Sequence, residues 1–259
     1  MGLAFIGIGL TARGLTIEGL HEAKRADYLF IDLYTSLFPK DELFVLQSLI
    51  GREVRPLRRS DLEGRGAQKI LDLAERGSVV LLTVGDPFIA TTHIALKVEA
   101  VKRGIKVKYV PSASIMSVVP GLTGLSSYKF GRSATVVFPE KGPNNAAYEA
   151  IRDNSSRGLH TLLYLDLDVE SGKAMTINEA LRILLEVEAQ RREGVVRGDR
   201  LVVGIARSCW DSEVVKASKL SKLLDYDFGP PPHALVFPGV LHFMELEALK
   251  TFAGMEECP

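Results

Sequence analysis

The stretch Leu81-Leu82-Thr83-Val84-Gly85-Asp86-Pro87-Phe88-Ile89-Ala90-Thr91-Thr92-His93 brings chemically able residues together over thirteen positions. Residues 79–84 are β-branched or aliphatic throughout, the pattern of a strand buried on both faces. Gly85-Asp86-Pro87 ends the strand, and Thr91 or Thr92 can cap a helix running to about Arg103 and stopping at Gly104. A carboxylate at the lip of a proline-stiffened turn, followed by hydroxyls and an imidazole, suits a wall against a bound molecule. In an open parallel sheet this carboxyl edge is where ligands sit. The plain alternative is an ordinary strand-to-helix turn.

The five histidines do not assemble a catalytic pair from their spacing. His21 falls on a charged helix face and reads as solvated. His160 opens a strand and reads as structural, and His242 as a helix-start residue. His93 stands equally for capping, for packing and for the site. His233 follows Pro230-Pro231-Pro232, which fix its backbone, and reads as a packed histidine or a ligand contact. The chain has no nucleophile elbow, Walker loop, zinc spacing or HExxH. Polar turns at strand ends without an acid–base cluster suit a reaction whose activated group rides on a cofactor while the protein supplies position.

Gly7-Ile8-Gly9-Leu10-Thr11-Ala12 satisfies G-x-G-x-x-G/A, with Asp32 about 20 residues on, as a dinucleotide fingerprint requires. The helix is misplaced for it. Gly14 interrupts, and the apolar spacing Ile17, Leu20, Ala23 starts only after Thr16, a good N-cap.

These turns need a scaffold. The pattern predicts strands over 3–8, 27–32, 53–57, 79–84 and 106–110, alternating with a helix that starts after Thr16 and helices over 41–50, 67–76 and 93–103. Arg58, Arg59 and Arg65 flank a polar loop. The βαβαβαβαβ order implies a parallel sheet covered by helices. A short helical piece over 115–119 ends at Pro120-Gly121, where the pattern changes. The second half reads as strands over 133–138, 159–166, 201–206, 213–217 and 234–237 and helices over 146–157, 177–192 and 243–252. Thr176-Ile177-Asn178-Glu179 is a capping box. Strands here follow one another with fewer helices between, so this sheet is mixed. The expected domains are 1–112 and 113–259.

With 32 basic and 32 acidic residues the chain has no global field to attract nucleic acid. Cys209 and Cys258 make neither a metal cluster nor a disulfide framework. No signal peptide and no membrane-length apolar run is read, so the expectation is a cytoplasmic protein. Seven Asn and Gln residues among abundant Arg, Lys and Glu hint at a thermophilic source.

Several blocks carry a family resemblance. Gly7-Ile8-Gly9-Leu10, Tyr34-Thr35-Ser36, Val84-Gly85-Asp86-Pro87 and Ala90-Thr91-Thr92-His93 resemble the diphthine synthase branch of the tetrapyrrole methylase superfamily. So do Tyr128-Lys129-Phe130-Gly131-Arg132-Ser133-Ala134-Thr135, Gly158-Leu159-His160-Thr161-Leu162-Leu163 and Pro231-Pro232-His233, over residues 3 to about 245. The resemblance implies a two-domain α/β methyltransferase, a homodimer, binding S-adenosylmethionine (product S-adenosylhomocysteine) in the cleft between domains. Its implied substrate is translation elongation factor 2, on which it repeatedly methylates the amino group of a 3-amino-3-carboxypropyl-modified histidine. The implied cofactor contacts are Leu10, Asp86, Ile89, Ser114, Ile115, Leu165, Ser208 and His233. Ser208 lies in Ala206-Arg207-Ser208-Cys209-Trp210, where the family often has Ala or Gly after Ala-Arg. Leu10, Ile89, Ile115 and Leu165 would box the adenine and methionine stem. No base is assigned; Asp32, Tyr34 and Asp166 are candidates by strand-end position. Two other readings are a precorrin-type methyltransferase of the same fold and a non-catalytic nucleotide-binding regulator.

Overall fold

The computed structural model describes residues 1–169 and 171–256; Cys258 lies outside the described residues. The chain forms two units, Met1–Ile115 with Val169–Ser171, and Met116–Asp168 with the residues from Gly172 onward.

The first unit runs β1 (Gly2–Gly7), α1 (Ile17–Arg25), β2 (Tyr28–Asp32), α2 (Lys40–Ile50), β3 (Arg55–Leu57), α3 (Arg59–Leu62), α4 (Gly64–Arg76), β4 (Ser78–Thr83), α5 (His93–Lys102) and β5 (Val107–Val110). Its strands are ordered β3-β2-β4-β1-β5 and every pairing is parallel. β1 and β4 are central and buried on both faces, which is why they read as unbroken apolar runs. One face packs Ile6, Ile31, Val80 and Leu82 against Ala23, Leu46 and Ile50. The other packs Leu3, Phe5, Val79 and Leu81 against Leu71, Ala74, Leu96 and Ala100. α1 starts where Thr16 predicts: the threonine hydroxyl accepts from Gly19 N–H at 3.0 Å. A 3-10 turn, Ala12–Gly14, fills the gap after β1. The expected polar loop around Arg58–Arg65 is instead α3 and the start of α4. Asp61 accepts from Arg58 N–H at 2.9 Å and nucleates that extra turn.

The second unit is built on α6 (Ile115–Thr123, whose first residue belongs to the first unit), β6 (Ala134–Val136), α7 (Asn145–Ser156), β7 (Thr161–Leu165), β8 (Leu167–Asp168), β9 (Lys173–Ala174), α8 (Ile177–Arg191), β10 (Leu201–Ala206), β11 (Val214–Lys219), α9 (Leu220–Leu223), β12 (His233–Phe237) and α10 (Phe243–Ala253). The sheet order is β11-β10-β12-β7-β6, antiparallel except for β6 beside β7, so the sheet is mixed as the sequence implies. Tyr148, Leu163, Leu181, Leu184, Phe228 and Leu235 lie in its core. The capping box forms: Thr176 Oγ1 accepts from Glu179 N–H at 3.2 Å, and Glu179 accepts from Thr176 N–H at 2.7 Å. α6 corrects the sequence reading, because it passes through Pro120 to Thr123. Proline removes one N–H but its φ is helical, and the turn beyond it closes through Gly124 N–H on the Pro120 carbonyl at 2.8 Å. The short β8–β9 hairpin and α9 were not foreseen. No helix among the described residues is long and apolar enough to cross a membrane.

One buried ionic cluster holds the far edge of this sheet. Glu245, in the first turn of α10, accepts from Ser126 N–H (2.9 Å), His160 Nε2 (3.0 Å), Lys129 Nζ (2.5 Å) and His242 N–H (2.8 Å). His160 Nδ1 accepts from Gly239 N–H at 2.9 Å, so its hydrogen is on Nε2 and points at the carboxylate. Burial pushes the His160 pKa down, so the ring stays neutral. Burial alone would raise the Glu245 carboxyl; the N–H donors and Lys129 outweigh it and hold the group far below the usual carboxylate range. Glu245→Gln leaves Lys129 and these donors without their anion and should cost about 3–5 kcal/mol near neutral pH. The folded pKa is depressed, so this contribution is present above the unfolded value near 4.3 and is lost as pH falls through the folded one. Urea unfolding of both proteins should show the gap narrowing as pH drops below about 4.3. An unchanged gap there, or none at neutral pH, counts against the assignment.

Candidate functional site

The site residues expected in the first unit lie past the carboxyl ends of three adjacent strands, β4, β1 and β5. Leu10 is three residues after β1, Asp86 three after β4, and Ser114 and Ile115 follow β5. The turns are locked together. Gly85 N–H donates to Gly9 O at 2.7 Å and Gly9 N–H to Gly85 O at 3.3 Å. Gly85 adopts φ +76°, the left-handed region, and the Cβ missing from Gly7 would meet the Gly85 carbonyl oxygen at 2.6 Å. The glycines of the opening motif therefore serve close backbone approach. The helix starts late, at Ile17, as expected from Thr16.

Asp86 is buried and already has internal partners. Oδ1 accepts from Phe88 N–H at 2.9 Å; Oδ2 accepts from Tyr109 Oη at 2.6 Å and Ser112 N–H at 3.3 Å. It thus ties the turn after β4 to the end of β5. Tyr109, an edge-strand residue 23 positions on, is the partner that spacing did not reveal. Phe88 packs beside it, ring centroids 5.0 Å apart, and Lys97 Nζ lies 4.5 Å from the Phe88 ring centroid. Ile89 N–H donates to Asp86 O at 3.2 Å, and Ala90 takes φ +57° to let the chain turn into α5.

Asp32, Tyr34 and His93 gather one strand further along. Asp32 ends β2, fully buried. It accepts from Tyr34 N–H (2.7 Å), Thr35 N–H (3.1 Å) and Thr35 Oγ1 (2.5 Å). His93 Nε2 lies 3.0 Å from Asp32 Oδ2, with both side chains buried. Its Nδ1 stands 3.0 Å from the Pro87 carbonyl oxygen. Burial raises the Asp32 pKa, but His93 and the Tyr34 and Thr35 donors outweigh it and hold the carboxyl below its ordinary value. His93 is therefore a packed residue bracing the turn. Asp166, the other candidate carboxylate, accepts from Phe138 N–H, Leu167 N–H and Lys141 Nζ at 2.9–3.0 Å. Both carboxylates are bound up in structure. The Arg59 guanidinium lies 5.5 Å from the Tyr34 ring centroid.

On the second unit the topology collects the other three residues at one sheet edge. Leu165 ends β7, His233 starts β12 opposite Ala206, and Ser208 lies two residues beyond β10. Arg207 and Cys209, on either side of Ser208, take φ +50° and +67°. The Arg207 side chain pins this strained turn by donating to Ser212 O and Phe228 O, and to Pro230 O. His233 Nδ1 accepts from Ile177 N–H, the first amide of α8, at 3.2 Å. Its hydrogen is therefore on Nε2, which is buried and has no partner among the described residues. Burial, then the charge of Arg207, pushes the His233 pKa down to about 4. The ring is a neutral donor held in one tautomer. No group of His, Cys, Asp and Glu that could hold a metal occurs among the described residues.

The Tyr109–Asp86 bond gives a pH-dependent expectation. Burial and the facing carboxylate push the phenol up to about 12. A raised folded pKa means a contribution present below the unfolded value near 10 and lost as pH rises through about 12. Tyr109→Phe should cost about 1 kcal/mol in chemical unfolding below pH 10, the low end for a bond to a charged acceptor on a part-exposed residue. That difference should shrink above pH 10; a pH-independent difference argues for lost packing alone.

The comparisons agree with this geometry. The model of the Tetrapyrrole (Corrin/Porphyrin) Methylases matches residues 2–224. The chain is 43% identical over 256 residues to a diphthine synthase of Methanocella arvoryzae, covering 98% of this chain and 99% of that one. It is 40% identical over 257 residues to a diphthine synthase of Staphylothermus marinus, covering 98% and 95%. A crystal structure of a diphthine synthase superposes with TM-score 0.87 at 39% identity, covering 98% and 96%. That of a conserved hypothetical protein from Aeropyrum pernix K1 superposes with TM-score 0.89 at 28% identity, covering 99% and 90%. A two-unit α/β chain with these strand-end turns, matched along nearly its whole length, belongs to the tetrapyrrole methylase family, within it to the diphthine synthase group, and is a methyltransferase.

Proposed function

We propose that this methyltransferase uses S-adenosylmethionine to methylate, repeatedly, the amino group of the 3-amino-3-carboxypropyl-modified histidine of translation elongation factor 2 in the cytoplasm. The near full-length likeness to diphthine synthases carries this reading. The orphaned Nε2–H of His233 fits it: a buried donor held in one tautomer needs an acceptor, and the cofactor is rich in them.

Leu10, Ile89, Ile115 and Leu165 are the apolar residues this reading assigns to the adenine and the methionine stem. Ser114, Ser208 and His233 offer polar contacts, and Asp86 offers negative charge. Bound S-adenosylmethionine supplies a methyl group on a sulfonium, an excellent leaving group. The chain's residues therefore align rather than activate. A neutral His233 adds no positive charge beside that cation. The attacking amine loses a proton in the first two transfers; Asp32 and Asp166, committed to internal donors, are assigned to structure and not to that proton.

Three measurements test the reading. S-adenosylhomocysteine should raise the melting temperature and NAD should not; a ligand at 100 times its Kd adds about 2.7 kcal/mol. A shift with NAD alone would overturn it. Incubation with modified elongation factor 2 and S-adenosylmethionine should add methyl-group masses, and an unmodified substrate mass sinks the substrate assignment. Asp86→Asn should weaken S-adenosylhomocysteine binding about 10- to 100-fold by calorimetry, the loss of a charge-assisted contact. The single-turnover rate at saturating cofactor should change far less. The structure adds a drop in melting temperature through Tyr109. Unchanged affinity with that drop would make Asp86 a latch only, and a collapsed saturated rate with intact affinity would make it the base.

A further inference from the structure

The turn that carries Leu10 is anchored by a side chain that the methyl-transfer reading does not use. Between β1 and α1 the chain doubles back on itself. Gly9 takes φ +72°, and a Cβ there would meet Gly14 Cα at 2.9 Å. Leu10 lies within this loop, and the 3-10 turn Ala12–Gly14 closes it. One end is held by the paired amides and carbonyls of Gly9 and Gly85. The other is held by Ser112 Oγ, which donates to Gly14 O at 3.0 Å.

The middle of the loop depends on the Ala12 amide. This N–H opens the 3-10 turn, so no carbonyl inside the turn accepts from it. Thr11 stands at the N-cap and is a residue type suited to supply the acceptor, yet it makes no side-chain cap bond. The acceptor comes from 30 positions along the chain. Glu42 Oε2, in the first turn of α2, takes the Ala12 N–H at 2.5 Å. Glu42 is half-buried and Ala12 fully buried, so this donor meets the carboxylate and not solvent. A backbone amide on an ionised acceptor is a strong, charge-assisted bond.

We propose that Glu42 is a positioning residue for the cofactor turn: through the Ala12 amide its carboxylate holds the 9–14 loop in the shape that presents Leu10. The proposal rests on the assignment of Leu10 to the cofactor in the function proposed above. The bonds form a continuous series. Glu42 holds Ala12, Ser112 Oγ holds Gly14, and Ser112 N–H donates to Asp86 Oδ2 at 3.3 Å. The start of α2, the first turn and Asp86 are therefore ordered together before a ligand arrives. Without the Glu42 oxygen that ordering falls to the binding step, so the cost appears in cofactor affinity. Methyl transfer from cofactor already bound is spared.

Calorimetry with S-adenosylhomocysteine and a single-turnover assay on Glu42→Ala and Glu42→Gln test this. Glutamine keeps an acceptor oxygen at the same reach, and alanine removes it. Glu42→Ala should weaken S-adenosylhomocysteine binding about tenfold, the low end for a hydrogen bond to a charged group. Glu42→Gln should weaken it by no more than about threefold, since a neutral acceptor keeps roughly half the bond. The methylation rate at saturating S-adenosylmethionine should stay within about threefold of wild type in both. Amide hydrogen exchange of the unliganded protein should quicken over residues 10–14 in Glu42→Ala. If Glu42→Ala does not fold, Glu42→Asp withdraws the carboxylate by one methylene and should also lose affinity. Glu245→Gln is the control: it lowers stability away from the loop and should bind as wild type does. Wild-type affinity in Glu42→Ala overturns the inference, as does unchanged exchange over residues 10–14. So does an equal loss of affinity in Glu42→Gln or in Glu245→Gln. Wild-type protein that does not bind S-adenosylhomocysteine overturns the cofactor assignment, and the inference with it.

Discussion

The contact between Asp32 and His93 is the constraint on which the first unit's functional edge depends. Removing both groups from water is costly, and their approach alone does not repay it. The balance comes from further partners: two backbone N–H groups and the Thr35 hydroxyl donate to Asp32, and the Pro87 carbonyl oxygen faces His93 Nδ1 as an acceptor. Through this pair the end of β2, the turn after β4 and the first residue of α5 become one object. Asp86 then fixes the same turn to β5 through Tyr109 and Ser112. The turn is held from both sides, so its backbone need not reorganise when a ligand arrives.

The second unit uses a related device at the opposite end of its sheet. His160 and Glu245 also form a buried imidazole–carboxylate contact, with Lys129 as the charge that keeps Glu245 ionised. Two histidine–carboxylate pairs in one chain invite a catalytic reading, but both are closed to solvent and their oxygens accept from backbone N–H groups and from the Thr35 hydroxyl or Lys129 Nζ. His233 differs. One ring nitrogen accepts from the α8 amide, while the other is buried near the Pro230 and Gly229 backbone without a well-aligned hydrogen bond. What sets His233 apart from the other two is that its one well-aligned partner is a helix amide, where theirs include a carboxylate in close approach.

That distinction explains what the sequence could and could not show. The alternation of apolar runs and capped helices was legible because each depends on neighbours within a few residues. Thr16, Gly51, the Thr176–Glu179 box and His242 all mark helix ends where the structure has them. Pro120 misled because its missing N–H matters only to one bond, and α6 closes its next turn without it. The loop at Arg58–Arg65 misled because its helical turn rests on Asp61, whose reach back to Arg58 is a geometric matter rather than a compositional one. The site was legible in part. Strand-end position placed Asp86 at a sheet edge and the family resemblance added Ser114, Leu165 and His233, but the partners of Asp86 and His233 lie far along the chain. Tyr109 is 23 residues from Asp86, and Ile177 is 56 from His233. Only tertiary pairing brings them together.

The electrostatics of the two edges follow from the chemistry proposed for them. A cationic donor is best met by groups that are neutral or negative and do not change charge as pH varies around neutrality. His233 meets this condition because its pKa lies near 4, well clear of neutral pH, and the α8 amide fixes which nitrogen carries the hydrogen. Lys97 and Arg207, near the functional turns, are occupied elsewhere, one over the Phe88 and Tyr109 rings and the other on loop carbonyls. Arg207 is the telling case. By bonding Phe228 O and Ser212 O it spends its guanidinium on holding the Ser208 turn, and its remaining field lowers the pKa of His233 instead of facing a ligand unaided. Placing cations in structural roles removes competing charge from the edges proposed to meet a cationic cofactor.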